Sequence, residues 1–195
     1  VLDVAGLAQK NGAVYSHIRI ADDPGTLHAV RIAAGGARLL IGCDMVASAS
    51  AETLGKLKKG YTSAAINAHQ TMTPDFTHKA DLEFPEKRLR DALMEATGAR
   101  ALDFIDATGL AHGLLGDSIG ANMLMVGFAY QKGLLPLSAA AIERALELNG
   151  VAVDFNKQAF LWGRRAAHDR ESVFNLIRPA ESKQNHPSQG DFIDD

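Results

Sequence analysis

The 195 residues suit one compact domain with a real core. Hydrophobic residues at 47% and charged residues at 22% exclude a disordered chain, a fibre and a coiled coil. The net charge of −3 gives no basic face for nucleic acid, and the short runs Lys56-Leu57-Lys58-Lys59 and Arg164-Arg165 read as solvated surface.

The chain opens without Met in the apolar run Val1-Leu2-Asp3-Val4, which reads as a piece cut from a longer polypeptide. Residues 12–20 alternate and predict a strand buried mainly on one side. Val14, Ser16, Ile18 and Ile20 share one face; Tyr15, His17 and Arg19 share the other. Asp22-Asp23-Pro24-Gly25 is a turn. Residues 27–32 alternate again and are expected to pair with the first strand as a hairpin. Residues 37–42 form a short apolar strand, as in a sheet covered on both faces. From residue 44 to 57 the spacing turns helical through Met45, Ala49, Thr53 and Leu57, with Ser50 as a break and N-cap. Gly60 stops it. Residues 61–67 predict another strand, opening into a polar loop over 68–74.

Pro85 starts a helix with Leu89, Leu93 and Ala96 inside, and Gly98 ends it. Residues 101–107 read as a strand, and helices follow. Residues 119–131 are apolar almost all round, which predicts a buried core helix. Ser138 caps a helix to Asn149, with Gly150 as its stop. Val151, Phe155, Ala159, Trp162 and Ala166 give the stripe of the last long helix. Residues 181–195 form a polar tail or linker. The alternation predicts an α/β fold, a mixed or largely parallel sheet flanked by helices, with a helical C-terminal third.

A single cysteine, Cys43, makes no internal disulfide, so a reducing cytoplasm is the expected setting. It cannot hold an iron–sulfur cluster, which needs about four Cys ligands. Cys43 ends an apolar run and is expected to be a buried small hydrophobe. No apolar run reaches the roughly 18–20 residues that span a bilayer. The seven histidines never pair with a Cys at zinc-ligand spacing, and no metal site is expected. No glycine fingerprint for dinucleotides, P-loop, His-Glu-x-x-His or Gly-x-Ser-x-Gly occurs.

Two polar clusters remain. Gln9-Lys10-Asn11-Gly12 leads to Ser16 and His17, where glycine permits a sharp turn or a close approach. The plain reading is a turn into a strand with His17 hydrogen-bonded on its outer face; the functional reading gives His17 a titrating role. The second is Gly116-Asp117-Ser118-Ile119-Gly120-Ala121-Asn122. Asp117 or Ser118 caps the core helix, and Asn122 makes a buried hydrogen bond one turn in. Its functional reading is an anion or partner contact at the helix N-terminus.

Both clusters resemble segments of the gamma-type domain of indolepyruvate-type 2-oxoacid:ferredoxin oxidoreductases. The run from Leu2 to His17 is similar to the segment that follows that domain's glycine-rich start. Pyruvate- and ketoisovalerate-type relatives carry Arg-Gly-Gly where this chain has Lys10-Asn11-Gly12. Leu115 to Asn122, Gly127 to Ser138 and Glu147 to Val153 are similar to the same family, as are Asn156, Ala159-Phe160 and Trp162-Gly163-Arg164. The resemblance covers about residues 1–175 and implies one domain over residues 1–180 that lacks the family's N-terminal glycine-rich strand and loop. It implies oxidative decarboxylation of 2-oxo acids, here aryl-pyruvates such as indolepyruvate. Thiamine diphosphate, coenzyme A and iron–sulfur clusters serve in the full enzyme, with ferredoxin as electron acceptor. It implies that this domain holds neither the thiamine nor a cluster and works with other domains or subunits, in a homo-oligomer. Gln9, Lys10, Asn11 and His17 are then expected to face the catalytic neighbour or the substrate, with His17 as the catalytic candidate and Asp117 and Asn122 as second choice. The competing reading is a free-standing CoA- or nucleotide-binding α/β module, using the polar loops over 68–74 and 106–110.

Overall fold

Short apolar strands separated by helical stretches return to the same edge of a sheet and so pair in parallel. The computed structural model describes residues 2–5, 13–70 and 84–178. Gln9, Lys10 and Asn11, most of the loop over 68–74 and the tail over 181–195 lie outside those residues. The strands β3 (Leu39–Gly42), β4 (Ser63–Asn67) and β5 (Leu102–Ile105) form a parallel sheet in that order. Ile41 lies beside Ala65, and Ala65 beside Asp103. A separate antiparallel ribbon joins β1 (Leu2–Ala5) to β2 (Tyr15–Ile18), with Asp3 opposite His17.

The central strand divides the core. Ala64 and Ile66 point to one face, where Met45, Leu57, Leu89 and Leu93 are buried. Ala65 points to the other, with Leu110, Leu124, Met125 and Phe128. This period of two, buried on both sides, is what an apolar parallel strand requires. The first face is covered by α1 (Met45–Ser48), α2 (Ala51–Leu54) and α3 (Glu86–Thr97). Ser50 separates α1 from α2 as predicted, its hydroxyl accepting from the Thr53 amide. Gly98 ends α3 at a φ of 92°, which a side chain would resist.

The second face lies against the C-terminal helices α4 (Ala107–Leu115), α5 (Ala121–Gln131), α7 (Val153–His168) and α8 (Arg170–Ile177), while α6 (Ala139–Asn149) packs on α7 away from the sheet. Ser138 and Gly150 bound α6 as predicted. The core helix begins two residues later than its apolar run, because residues 118–120 form a 3₁₀ turn and Ile119 is exposed. The predicted stripe of α7 holds at Ala159 and Ala166, which are buried, and at Trp162, which packs against the core, and it extends to Phe160 and Gly163. Val151 precedes the helix and is exposed. The reason for the extension is glycine. A Cβ at Gly127 of α5 would overlap the Phe160 carbonyl of α7, and one at Gly163 would overlap the Leu124 carbonyl of α5. The two backbones touch, so the contact line follows the glycines rather than the largest side chains.

Two further expectations fail in the ribbon. Residues 27–32 form no strand. That segment returns beside β2, but side chains tie it down: His17 Nδ1 accepts from the Ile32 amide, and Arg19 donates to the Arg31 carbonyl. β2 takes its backbone partner from β1 instead. Its faces are also inverted. His17 is buried, whereas Val14, Ile18 and Ile20 are 47%, 61% and 54% exposed. Two hydrogen bonds, from the Ile32 amide to His17 and from the Tyr15 hydroxyl to Ser50 Oγ, hold the polar face inward.

Replacing Gly127 or Gly163 with Ala is expected to lower stability by about 3 kcal/mol, the upper end for overpacking, since backbone cannot yield as a side chain does. Urea denaturation measures it; a variant as stable as the parent would mean that α5 and α7 lie further apart than described.

Candidate functional site

Open parallel sheets present their functional side chains beyond the carboxyl ends of the strands. Here those ends are Gly42-Cys43-Asp44, Asn67-Ala68-His69 and Ile105-Asp106-Ala107. Asn67, 4% exposed, holds them together. Its Nδ2 donates to the Cys43 carbonyl at 3.1 Å and to Thr108 Oγ1 at 2.8 Å. Its Oδ1 accepts from the Ala107 amide at 3.0 Å and the His69 amide at 3.2 Å. Two donors and two acceptor lone pairs are all that an amide offers, and all are used. One side chain thus spans the end of β3, the end of β4 and the start of α4.

His69 and Asp106 lie on the solvent side of that network. His69 Nδ1 is 3.2 Å from Asp106 Oδ1, and the two side chains are 42% and 43% exposed. Asp106 is fixed in turn as the N-cap of α4, where Oδ1 accepts from the Gly109 amide at 2.8 Å. Gly109 leaves room for this cap, because a Cβ there would press on the Asp106 carboxylate. At the rim, Gln70 donates to Glu86 at 2.7 Å. Arg90 bonds the other Glu86 oxygen and lies 4.0 Å over the Phe104 ring. The Arg90 hydrogen bond, then its charge and Gln70, hold the Glu86 carboxyl below the usual carboxylate range.

Cys43 is exposed rather than buried. The inward position falls one residue earlier, on Gly42, where a Cβ would run into Ser48 and Ile66. Cys43 therefore turns outward while Asn67 takes its carbonyl. Although the residue is exposed, the protein around the sulfur withdraws water from it, and the Asp44 carboxylate adds to this. Both push the thiol above its ordinary range.

The sequence-predicted residues lie elsewhere. His17 is buried and accepts a backbone hydrogen bond, so it is not on an outer face. Asp117 is exposed, and its carboxylate caps the 3₁₀ turn through the Ile119 amide at 2.9 Å. The core helix itself has Gly120 at its N-cap and no side-chain cap. Asn122 is exposed, so the expected buried hydrogen bond is not made. No hydrogen bond or ion pair among the described residues joins the two clusters. Asn67 and the His69–Asp106 pair were not singled out by sequence. The available signal was a polar residue closing an apolar strand, followed by the two loops favoured by the competing reading. Among the described residues, no group of three or more His, Cys, Asp or Glu is placed to hold a metal ion, and no helix is long and apolar enough to cross a membrane.

Asn67→Ala would leave the buried Ala107 amide and Cys43 carbonyl unpaired. The expected cost is about 3 kcal/mol in urea denaturation, with Asn67→Asp no better because it turns a carboxylate oxygen toward a carbonyl. The raised Cys43 thiol predicts that alkylation by iodoacetamide reaches half its limiting rate at a higher pH than for free cysteine. Asp44→Asn should lower that midpoint, and an unchanged midpoint would remove the carboxylate as a cause.

The family described as pyruvate ferredoxin/flavodoxin oxidoreductase matches residues 2–166, most of the 195. No curated protein and no solved structure matches. The chain belongs to the pyruvate ferredoxin/flavodoxin oxidoreductase family, whose members oxidise 2-oxo acids with ferredoxin.

Proposed function

We propose that this chain is the gamma-type domain of an indolepyruvate-type enzyme, with residues 181–195 as a tail or linker. The full enzyme oxidatively decarboxylates aryl-pyruvates to acyl-CoA and passes the electrons to ferredoxin. The observation that carries the reading is the family match over residues 2–166. The blocks Leu2 to His17, Leu115 to Asn122 and Gly127 to Ser138 supply its indolepyruvate character.

The cysteine content supports a division of labour within the enzyme. One cysteine, exposed and with its thiol held protonated, is a poor fit to a cluster that takes about four thiolates. In this reading other domains or subunits carry the thiamine diphosphate and the clusters. This domain contributes surface and position, in a cytoplasmic assembly that contains more than one copy of the chain. Gln9, Lys10, Asn11 and the strand bearing His17 then face the catalytic neighbour. His17 acts there through packing, since its Nδ1 is already committed to the Ile32 amide.

The competing reading, a free-standing CoA- or nucleotide-binding module, needs bare amides at the strand ends to meet phosphate. Asp44 already accepts from the Ala47 amide, and Asp106 from the Gly109 amide. Those carboxylates would repel a phosphate, so the geometry favours the first reading.

The test is reconstitution. The chain combined with the thiamine- and cluster-bearing parts is expected to give indolepyruvate-dependent reduction of ferredoxin, faster than with pyruvate. The chain alone should give none, and calorimetry of the chain alone with ATP should give no binding heat. Equal turnover with the chain left out would overturn the reading.

A further inference from the structure

The amino ends of the strands, opposite the Asn67 network, gather cations. Arg38 stands just before β3, Lys58 and Lys59 in the turn before β4, and Arg100 before β5. All four are exposed. Backbone hydrogen bonds hold the turn in place. The Lys58 amide donates to Thr62 Oγ1 at 2.9 Å, the Tyr61 amide to the Lys58 carbonyl at 3.0 Å and the Ser63 amide to the Arg38 carbonyl at 2.9 Å. Tyr61 sits among the cations and is 41% exposed. The Arg38 guanidinium lies 4.7 Å and the Lys58 ammonium 5.8 Å from its ring centre. Elsewhere Lys87, Arg90, Lys132, Arg144 and Lys157 each meet a carboxylate. Among the described residues no ion pair holds Arg38, Lys58, Lys59 or Arg100. Asp91 and Glu95 line a surface pocket with Lys59, so the unopposed centre of the cluster is Arg38, Tyr61 and Lys58.

We propose that this cluster binds the acidic run Asp191-Phe192-Ile193-Asp194-Asp195 of the same chain. The run carries three carboxylates and no cation, around one aromatic and one aliphatic side chain. Its carboxylates suit the guanidinium and ammonium groups. Phe192 suits the Tyr61 ring and the apolar stems of Arg38 and Lys58. The other end of the sheet repels the same run, because Asp44 and Asp106 stand there. Reach is sufficient. The twelve residues 179–190 separate the run from Arg178. Twelve residues span up to about 40 Å, against a radius of gyration of about 16 Å for a compact chain of this length. Exposed ion pairs are individually weak. Here several form together, and linkage to the domain supplies an effective concentration on the order of millimolar. The contact ties the C-terminal segment to the amino end of the sheet and keeps it off the edge that carries Asn67, His69 and Asp106.

Nitrogen-15 NMR of the full chain tests the contact. The parent is compared with a variant carrying Asp191→Asn, Asp194→Asn and Asp195→Asn. At low salt the amides of Arg38 and of residues 58–62 are expected to differ between the two. The difference should vanish near 1 M salt, where the Debye length falls to about 3 Å. Arg38→Gln with Lys58→Gln should move the amides of residues 191–195 with the same salt dependence, while those of Leu110 and Phe128 in the core stay fixed. A peptide of residues 189–195 with blocked ends should restore the parent shifts to the Asp→Asn variant at about millimolar concentration, the order that the linkage supplies. Identical spectra of parent and variant at low salt overturn the proposal. Shifts that grow with chain concentration place the run on a second copy and overturn the contact within one chain. If the tail substitutions are silent and the same amides move on adding a single-stranded oligonucleotide or vesicles of anionic lipid, the cluster belongs to nucleic acid or a membrane and the proposal falls.

Discussion

The contact between α5 and α7 is backbone against backbone, and the rest of the second layer depends on it. Gly127 lies against Phe160, and Gly163 against Leu124 and Phe128, so no ridge of side chains separates the helices. This close approach leaves Phe128, Met125 and Leu124 of α5 fully buried, with Phe128 and Met125 in the core beneath the sheet. It also sets the tilted rings of Tyr130 and Phe160 with centroids 5.5 Å apart, and Arg164 5.2 Å over the Tyr130 ring. Around that pair, α4 and α8 meet backbone against side chain: a Cβ at Gly113 would strike the Ile177 side chain. Glycine costs helix propensity, roughly 1 kcal/mol at each such position relative to Ala. That cost is offset by dispersion contacts that larger residues would hold apart.

The sheet is arranged around the same economy of space. Its central strand carries Ala64 and Ala65, both fully buried, so helices from both sides approach it closely. A strand so thin has little side-chain volume to fix where it ends. Asn67 supplies the fixing. Its amide is saturated by groups from the ends of β3 and β4 and from the start of α4. A buried polar network that is fully satisfied specifies one arrangement, whereas a half-satisfied one would cost more than an apolar residue.

What the sequence made legible was local. Ser50, Ser138, Gly98 and Gly150 act on their own helix termini, so each is read from its near neighbours. The apolar strands over 37–42, 61–67 and 101–107 are likewise local patterns, and three parallel strands follow from them. What failed depended on distant partners. The face of β2 is set by Ser50 and Ile32, residues 35 and 15 positions away. The extension of the α7 stripe to Phe160 and Gly163 is set by glycine contacts with α5, and hydrophobic periodicity gives glycine no weight. Cys43 was misplaced by one residue because Gly42 occupies the inward position without an apolar side chain to announce it. At the site, Asn67 looked like the last residue of a strand. Its role exists only once residues 43, 107 and 108 are brought beside it.

The carboxylate caps decide what kind of chemistry the sheet edge permits. In nucleotide-binding sheets the turn after a strand leaves its amides bare, and the helix dipole draws phosphate onto them. Here Asp44 stands two residues beyond β3 and Asp106 directly after β5, and each carboxylate takes an amide of the helix it starts. The positive ends of α1 and α4 are thus neutralised from within, at 2.7 Å and 2.8 Å. The same holds for Asp117 at the 3₁₀ turn before α5 and for Asp169 before α8. An anion approaching any of these turns meets negative charge and finds the capped amide already engaged. The strand ends of this sheet therefore present carboxylates to solvent where a nucleotide-binding sheet would present bare amides.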